Sequence, residues 1–286
     1  MRVHGFVLTW VLLVAAAVAQ RVDGTYPPAP RSDAADTVHG IVVADPYRWL
    51  ESPDAPETSA WVRGQDAALR SFVASAPGAA NIHARLDALV AYDTVSVPQQ
   101  AGRRYVFSKA PADRSVNVGR LYVADDAGAP GQLIVDVQAD EGASAALGTF
   151  AASPDGGHVA YVVHEAGSAW GGLRVHHLRD GRTERIAQPG IHRMSRLQWT
   201  SDSRELFYTT FARAADPQAP IGRQALHRRH VTATPVNDEE VPLGIEDASR
   251  LATVGVTEDG RTAVITTPYP GLRGLAWNDV FVTSPA

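Results

Sequence analysis

The spacing of apolar positions changes character near residue 96. Upstream, Trp61, Ala68, Leu69 and Phe72 recur at near-helical spacing after Thr58, and Pro77-Gly78 ends that run. Ile82, Leu86, Leu89 and Val90 then share one stripe, with Asn81 placed to cap it. Two amphipathic helices are predicted, each with an apolar face that needs a partner. Downstream the period falls to two, as in Tyr105-Val106-Phe107, His158 to Val163 and Glu205 to Thr210, which predicts strands. Before the helices, Tyr26-Pro27-Pro28-Ala29-Pro30 has fixed φ angles and predicts an extended segment.

The strands come in a repeating phrase. A tight turn precedes an aromatic or β-branched run at Gly102, Asp155, Asp202 and Asp259, a period of about 50 residues. Further strands fall between these turns, at Arg120 to Val123, Leu173 to Leu178 and Asp279 to Val282. Several short strands per unit at this period predict propeller blades, because each small sheet buries its faces only against its neighbours. A β-sandwich with coincidental turn spacing is the competing architecture. The expected fold is mainly β: a partial, open β-propeller of about four blades over residues 96–286, after an extended and helical segment at 20–95.

Composition refines this picture at three points. Residues 1–19 have the form of an export signal, with Arg2, an apolar stretch from Phe6 to Val18, and Ala17-Val18-Ala19 as a small-x-small cleavage pattern. The apolar stretch falls short of the ~20 residues a spanning helix needs, so a periplasmic or secreted protein without a membrane anchor is expected. The 286 residues contain no cysteine, which excludes thiolate catalysis, disulfides and Cys-based zinc sites. A formal net charge of −5, with no basic block, argues against nucleic acid as a partner.

The segment Thr37 to Glu51, TVHGIVVADPYRWLE, closely resembles the opening of prolyl oligopeptidases. The likeness continues through Gly148-Thr149-Phe150, Ser153-Pro154-Asp155-Gly156, Gly167-Ser168-Ala169-Trp170, Gln198-Trp199-Thr200 and Trp277-Asn278-Asp279-Val280. The resemblance implies a serine peptidase whose seven-bladed propeller is inserted into an α/β-hydrolase domain, with the amino-terminal segment packing on that domain. It implies short proline-containing peptides as substrates, no cofactor, and a catalytic triad located after the propeller. It also implies two substrate-pocket positions: Met194, five residues before Trp199, where the family carries an aromatic side chain, and Leu251, eight before Asp259. Methionine there keeps an apolar wall and loses ring stacking.

The residues agree that a nucleophile is lacking. A serine of this class sits on a Gly-x-Ser-x-Gly elbow between strand and helix, and no such pentapeptide occurs. The nearest approach, Gly167-Ser168-Ala169-Trp170-Gly171, has its glycine adjacent to the serine and reads as a blade turn. The chain is therefore expected to be a truncated amino-terminal part of such a peptidase, inactive alone and lacking its hydrolase domain. The alternative is an exported, non-catalytic propeller that binds peptides or a protein. His176-His177 and His227-Arg228-Arg229-His230 are not expected to hold a metal, since both spacings point the rings to opposite faces of a strand. Asp45 and Glu51 are expected to serve turns and caps, and Trp49, Trp61, Trp199 and Trp277 to anchor packed elements.

Overall fold

The computed structural model describes residues 26–112, 119–165, 167–212, 223–231, 238–243, 252–268 and 278–284. It divides into two compact units between Val90 and Ala91.

The first unit opens with a hairpin of β1 (Ala35–Val38) and β2 (Ile41–Ala44), turned at His39-Gly40 where both residues have positive φ. Its base is held by Arg48, which pairs with Asp45 at 3.0 Å and also with Asp36. Trp49 lies edge-on to Trp61, with ring centroids 6.1 Å apart, and its Nε1 donates to the Pro30 carbonyl. Helix α1 (Pro56–Ser75) starts at Pro56 with Ala55 as its N-cap, and α2 (Ala79–Val90) follows. Thr58 and Asn81 therefore lie inside helices. Proline fixes a helical φ at the first position of α1, and the Thr58 hydroxyl instead donates to the Trp49 carbonyl. Leu69, Phe72, Ile82, Leu86 and Leu89, the residues that predicted the helices, are exposed.

The second unit holds four antiparallel sheets in chain order. Sheet 1 contains β3 (Thr94–Val95), β4 (Gln99–Ala101), β5 (Arg104–Ala110), β6 (Arg120–Ala124) and β7 (Gln132–Asp136). Strands β3 and β4 pair with successive parts of β5, so they form one inner strand interrupted around Pro98, which has no N–H to give. A short helix, α3 (Val137–Glu141), leads to sheet 2: β8 (Ala145–Ala152), β9 (His158–Glu165), β10 (Trp170–His177) and β11 (Thr183–His192). Sheet 3 follows with β12 (Leu197–Trp199), β13 (Glu205–Phe211), β14 (Gln224–His230) and β15 (Asp238–Val241). In sheet 4 the described strands are β16 (Thr253–Val256), β17 (Ala263–Pro268) and β18 (Asn278–Thr283). These consecutive antiparallel meanders make a partial, open β-propeller.

Alternation along each second strand builds the core. Val159, Tyr161 and Val163 of β9 join residues of sheet 1, while Ala160 and Val162 join Trp199, Leu206 and Tyr208 of sheet 3. Phe207 points the other way, into Val254, Val256 and Ile265 of sheet 4. Burying each such side chain contributes about 1.5–3 kcal/mol, and no sheet here has a core of its own.

The recurring turns are also contacts between sheets. In three of them a Ser or Thr hydroxyl donates to the Asp two residues on: Ser153 to Asp155 at 2.6 Å, Thr200 to Asp202 and Thr257 to Asp259 at 2.7 Å each. The same Asp accepts the N–H of the second residue beyond it, from Gly157, Arg204 and Arg261. Each turn then touches the next: the Gly102 N–H donates to the Pro154 carbonyl, the Asp155 N–H to the Ser203 hydroxyl, and the Ser201 N–H to the Glu258 carbonyl. Gly102 and Gly156 have positive φ, and a Cβ on either would strike the facing turn's backbone at 2.8 or 2.6 Å.

Side chains complete the joints. Gln99 of β4 clamps β8 by donating to the Phe150 carbonyl and accepting the Ala152 N–H. The Trp199 Nε1 donates to the Ala151 carbonyl, and the buried Arg229 of β14 pairs with Asp238 in its own sheet and Glu184 in sheet 2.

Candidate functional site

Met194 lies in the turn between β11 and β12, half-buried. That turn is fastened on every side. The Met194 N–H donates to His192 Nδ1 at 3.3 Å, and the Ser195 N–H and Oγ close on the His192 backbone at 2.8 and 3.0 Å. The Arg193 N–H donates to the Ala169 carbonyl at 2.7 Å, and the Arg196 N–H to the Thr209 hydroxyl at 2.9 Å. Backbone held this way presents its side chains in fixed directions.

Behind the turn, the His192 ring sits edge-on to Trp170 at 4.9 Å and to Phe211 at 5.5 Å. Burial lowers the His192 pKa, aided by the charges of Arg193 and His164, so the ring is neutral with Nδ1 free to accept from Met194. The turn that carries Met194 is thus backed by a cluster of aromatic rings. Leu251, the other pocket residue expected, lies outside the described residues, as does Trp277.

Next to this turn, the Ser168–Trp170 corner walls a cavity of about 380 Å³. Its lining includes Ser144, Val163, Trp170, Glu141 and Arg174. Arg174 grips Glu141 through Nε at 2.8 Å and Nη2 at 3.2 Å, and Arg185 approaches the same carboxylate at 3.2 Å. The Arg174 hydrogen bond is the main reason the Glu141 pKa is held low.

The other residues singled out from the sequence take structural positions. The Gly167-Ser168-Ala169-Trp170-Gly171 segment joins β9 to β10, a strand-turn-strand context. His176 bonds the Thr183 hydroxyl, His177 meets Arg182, His227 bonds Thr210, and His230 pairs with Glu205. Among the described residues no group of three His, Asp or Glu side chains is placed to hold a metal ion, and no helix is long and apolar enough to cross a membrane.

The family described as "Prolyl oligopeptidase, N-terminal beta-propeller domain" matches residues 27–270. The chain belongs to that family. The prolyl endopeptidase of Elizabethkingia miricola is 26% identical over 245 residues, which cover 84% of this chain and 34% of that enzyme. The uncharacterized peptidase y4sO of Sinorhizobium fredii is 30% identical over 193 residues, 64% of this chain and 26% of its own. A solved prolyl endopeptidase, from a study of inter-domain dynamics in catalysis and specificity, superposes with a TM-score of 0.69 at 25% identity over 91% of this chain and 38% of that one. Prolyl oligopeptidase B of Galerina marginata, bound to a 35-mer hydrolysis and macrocyclization substrate, shares the fold, with a TM-score of 0.64 at 19% identity over 91% of this chain and 39% of its own. The chain thus spans about a third of the length of these prolyl oligopeptidase relatives.

Proposed function

We propose that this chain is the amino-terminal, propeller-bearing part of a serine-type prolyl oligopeptidase, and that it admits and helps seat short proline-containing peptides. The hydrolytic residues are supplied by a hydrolase domain outside these 286 residues. The observation that carries this reading is the family match over residues 27–270, joined to four meander sheets that contain no Gly-x-Ser-x-Gly elbow. The leader-like opening supports export, and Met194 on its fastened turn is the pocket residue of this portion. A methionine side chain suits an apolar peptide side chain and tolerates several shapes.

The test uses the purified chain. A fluorescent proline-containing peptide is expected to bind it, and a chromogenic proline-linked substrate is expected to release no chromophore. Turnover blocked by a serine-directed phosphonate would overturn the assignment of the nucleophile, and absence of peptide binding would overturn the role in seating substrate.

A further inference from the structure

One bond in the turn that carries Met194 differs in kind from the rest. The N–H groups of Arg193, Ser195 and Arg196 are held by the Ala169 carbonyl, the His192 carbonyl and the Thr209 hydroxyl, none of which changes charge with pH. The Met194 N–H has a single partner among the described residues, the His192 Nδ1 at 3.3 Å. An imidazole accepts there only while Nδ1 is bare, with its one proton on Nε2. Protonation makes Nδ1 a second donor aimed at the N–H it had been receiving, so the bond turns into a repulsion.

The surroundings of His192 favour the accepting form. The residue is buried opposite Trp170 in the β10–β11 ladder, with the rings of Trp170 and Phe211 edge-on to its own. Burial first, and then the charges of Arg193 on its own turn and His164 of β9, disfavour the charged ring. Strands β10 and β13 meet it with Trp170 and Phe211, which offer no counter-charge. A proton taken up here is relieved by movement of the Met194 peptide, because the residues flanking it stay tied by groups that do not titrate.

We propose that His192 is a positioning residue for the peptide pocket: its neutral ring holds the Met194 backbone in the orientation that receives substrate, and protonation lets that backbone go. The inference rests on the reading of Met194 as a pocket residue and adds a pH dependence to peptide seating. Seating is full while the ring is neutral and weakens as pH falls through the ring's titration.

The experiment uses the full chain, whose two methionines are Met1 and Met194. The amino group of a first residue gives no amide signal, so isotope-labelled methionine reports the Met194 N–H alone by NMR. That signal and the anisotropy of the fluorescent proline-containing peptide are followed from about pH 7.5 to 5.5, the range over which histidine titrates. The wild-type signal is expected to shift as affinity falls. His192→Phe keeps a ring beside Trp170 and Phe211 without the acceptor. It is expected to bind about fivefold more weakly than wild type already at the upper pH, the worth of one neutral hydrogen bond, with a Met194 signal that does not titrate. His192→Asn, whose side-chain oxygen accepts an N–H two residues on, is expected to keep the wild-type affinity and hold it into acid. Wild-type affinity in His192→Phe, His192→Asn binding no better than His192→Phe, or a wild-type pH dependence that persists in His192→Asn would each overturn the positioning role and leave peptide seating intact. No binding by any of the three proteins would overturn the peptide-seating reading, and the part of His192 in it.

Discussion

Gln198 gives both ends of its amide to one residue of the next sheet: its Oε1 accepts the Val256 N–H at 2.8 Å, and its Nε2 donates to the Val256 carbonyl. The side chain behaves as one more rung of backbone, bridging inner strands β12 and β16. Gln198→Leu keeps the bulk and leaves both Val256 groups without a partner. It is expected to lower unfolding free energy by about 2 kcal/mol, read from the urea midpoint. An unchanged midpoint would show that the clamp contributes nothing.

Acid should loosen the joint between sheets 2 and 3. His158 stacks on Trp199 at 5.7 Å with His177 edge-on at 4.8 Å. Burial first, then the charges of His177 and Arg182, lower the His158 pKa, while Asp155 and Asp180 oppose them. His176, His177, His192 and His227 are lowered as well, each mainly by burial. The folded state then binds fewer protons than the unfolded one, whose histidines titrate near about 6.5. Stability is therefore full above that pH and declines as pH falls below it. Urea midpoints measured from pH 7.5 to 5 should drop steadily, and His158→Gln should flatten the drop.

Gly190, with φ +84°, presses against sheet 3, where a Cβ would come within 2.4 Å of the Phe211 carbonyl oxygen. Neither the dihedral nor the contact can relax without separating two sheets. Gly190→Ala is expected to cost about 2–4 kcal/mol, seen as a fall in melting temperature of several degrees. Gly167→Ala, also at positive φ but in open space, should cost only about 1 kcal/mol.

Sheet 4 exposes Val264, Val280 and Val282 on one face, with Val264 opposite Val282 and Thr266 opposite Val280 across β17 and β18. Such a patch on the isolated chain favours association. Sedimentation should show concentration-dependent oligomers, and Val280→Glu with Val282→Lys should shift the population towards monomer.

The sequence announced the sheets clearly because their physics is local. Period-two runs such as His158 to Val163 and the turn residues at Asp155, Asp202 and Asp259 each carry their own signal. What stayed hidden depends on residues far apart in the chain. Gln99 looks like any polar residue on a short strand, and its grip on Phe150 and Ala152 becomes visible only when sheets 1 and 2 meet. Around the candidate site, Met194 could be named from resemblance, but nothing local marks the rings of His192, Trp170 and Phe211 as the cluster behind its turn. Helix α2 starts at Ala79 and not after an Asn81 cap, because the chain turns at Gly78 with φ +81° and enters the helix at once.

Strand β9 has no spare side: each residue from Val159 to Val163 is committed to one neighbouring sheet or the other. Inserting a single amino acid within it would hand each neighbour the side chains cut for its rival, spoiling two joints together. Growth and shrinkage of this protein over time are therefore confined to the hairpin tips, and so is the freedom to evolve new ways of greeting a peptide.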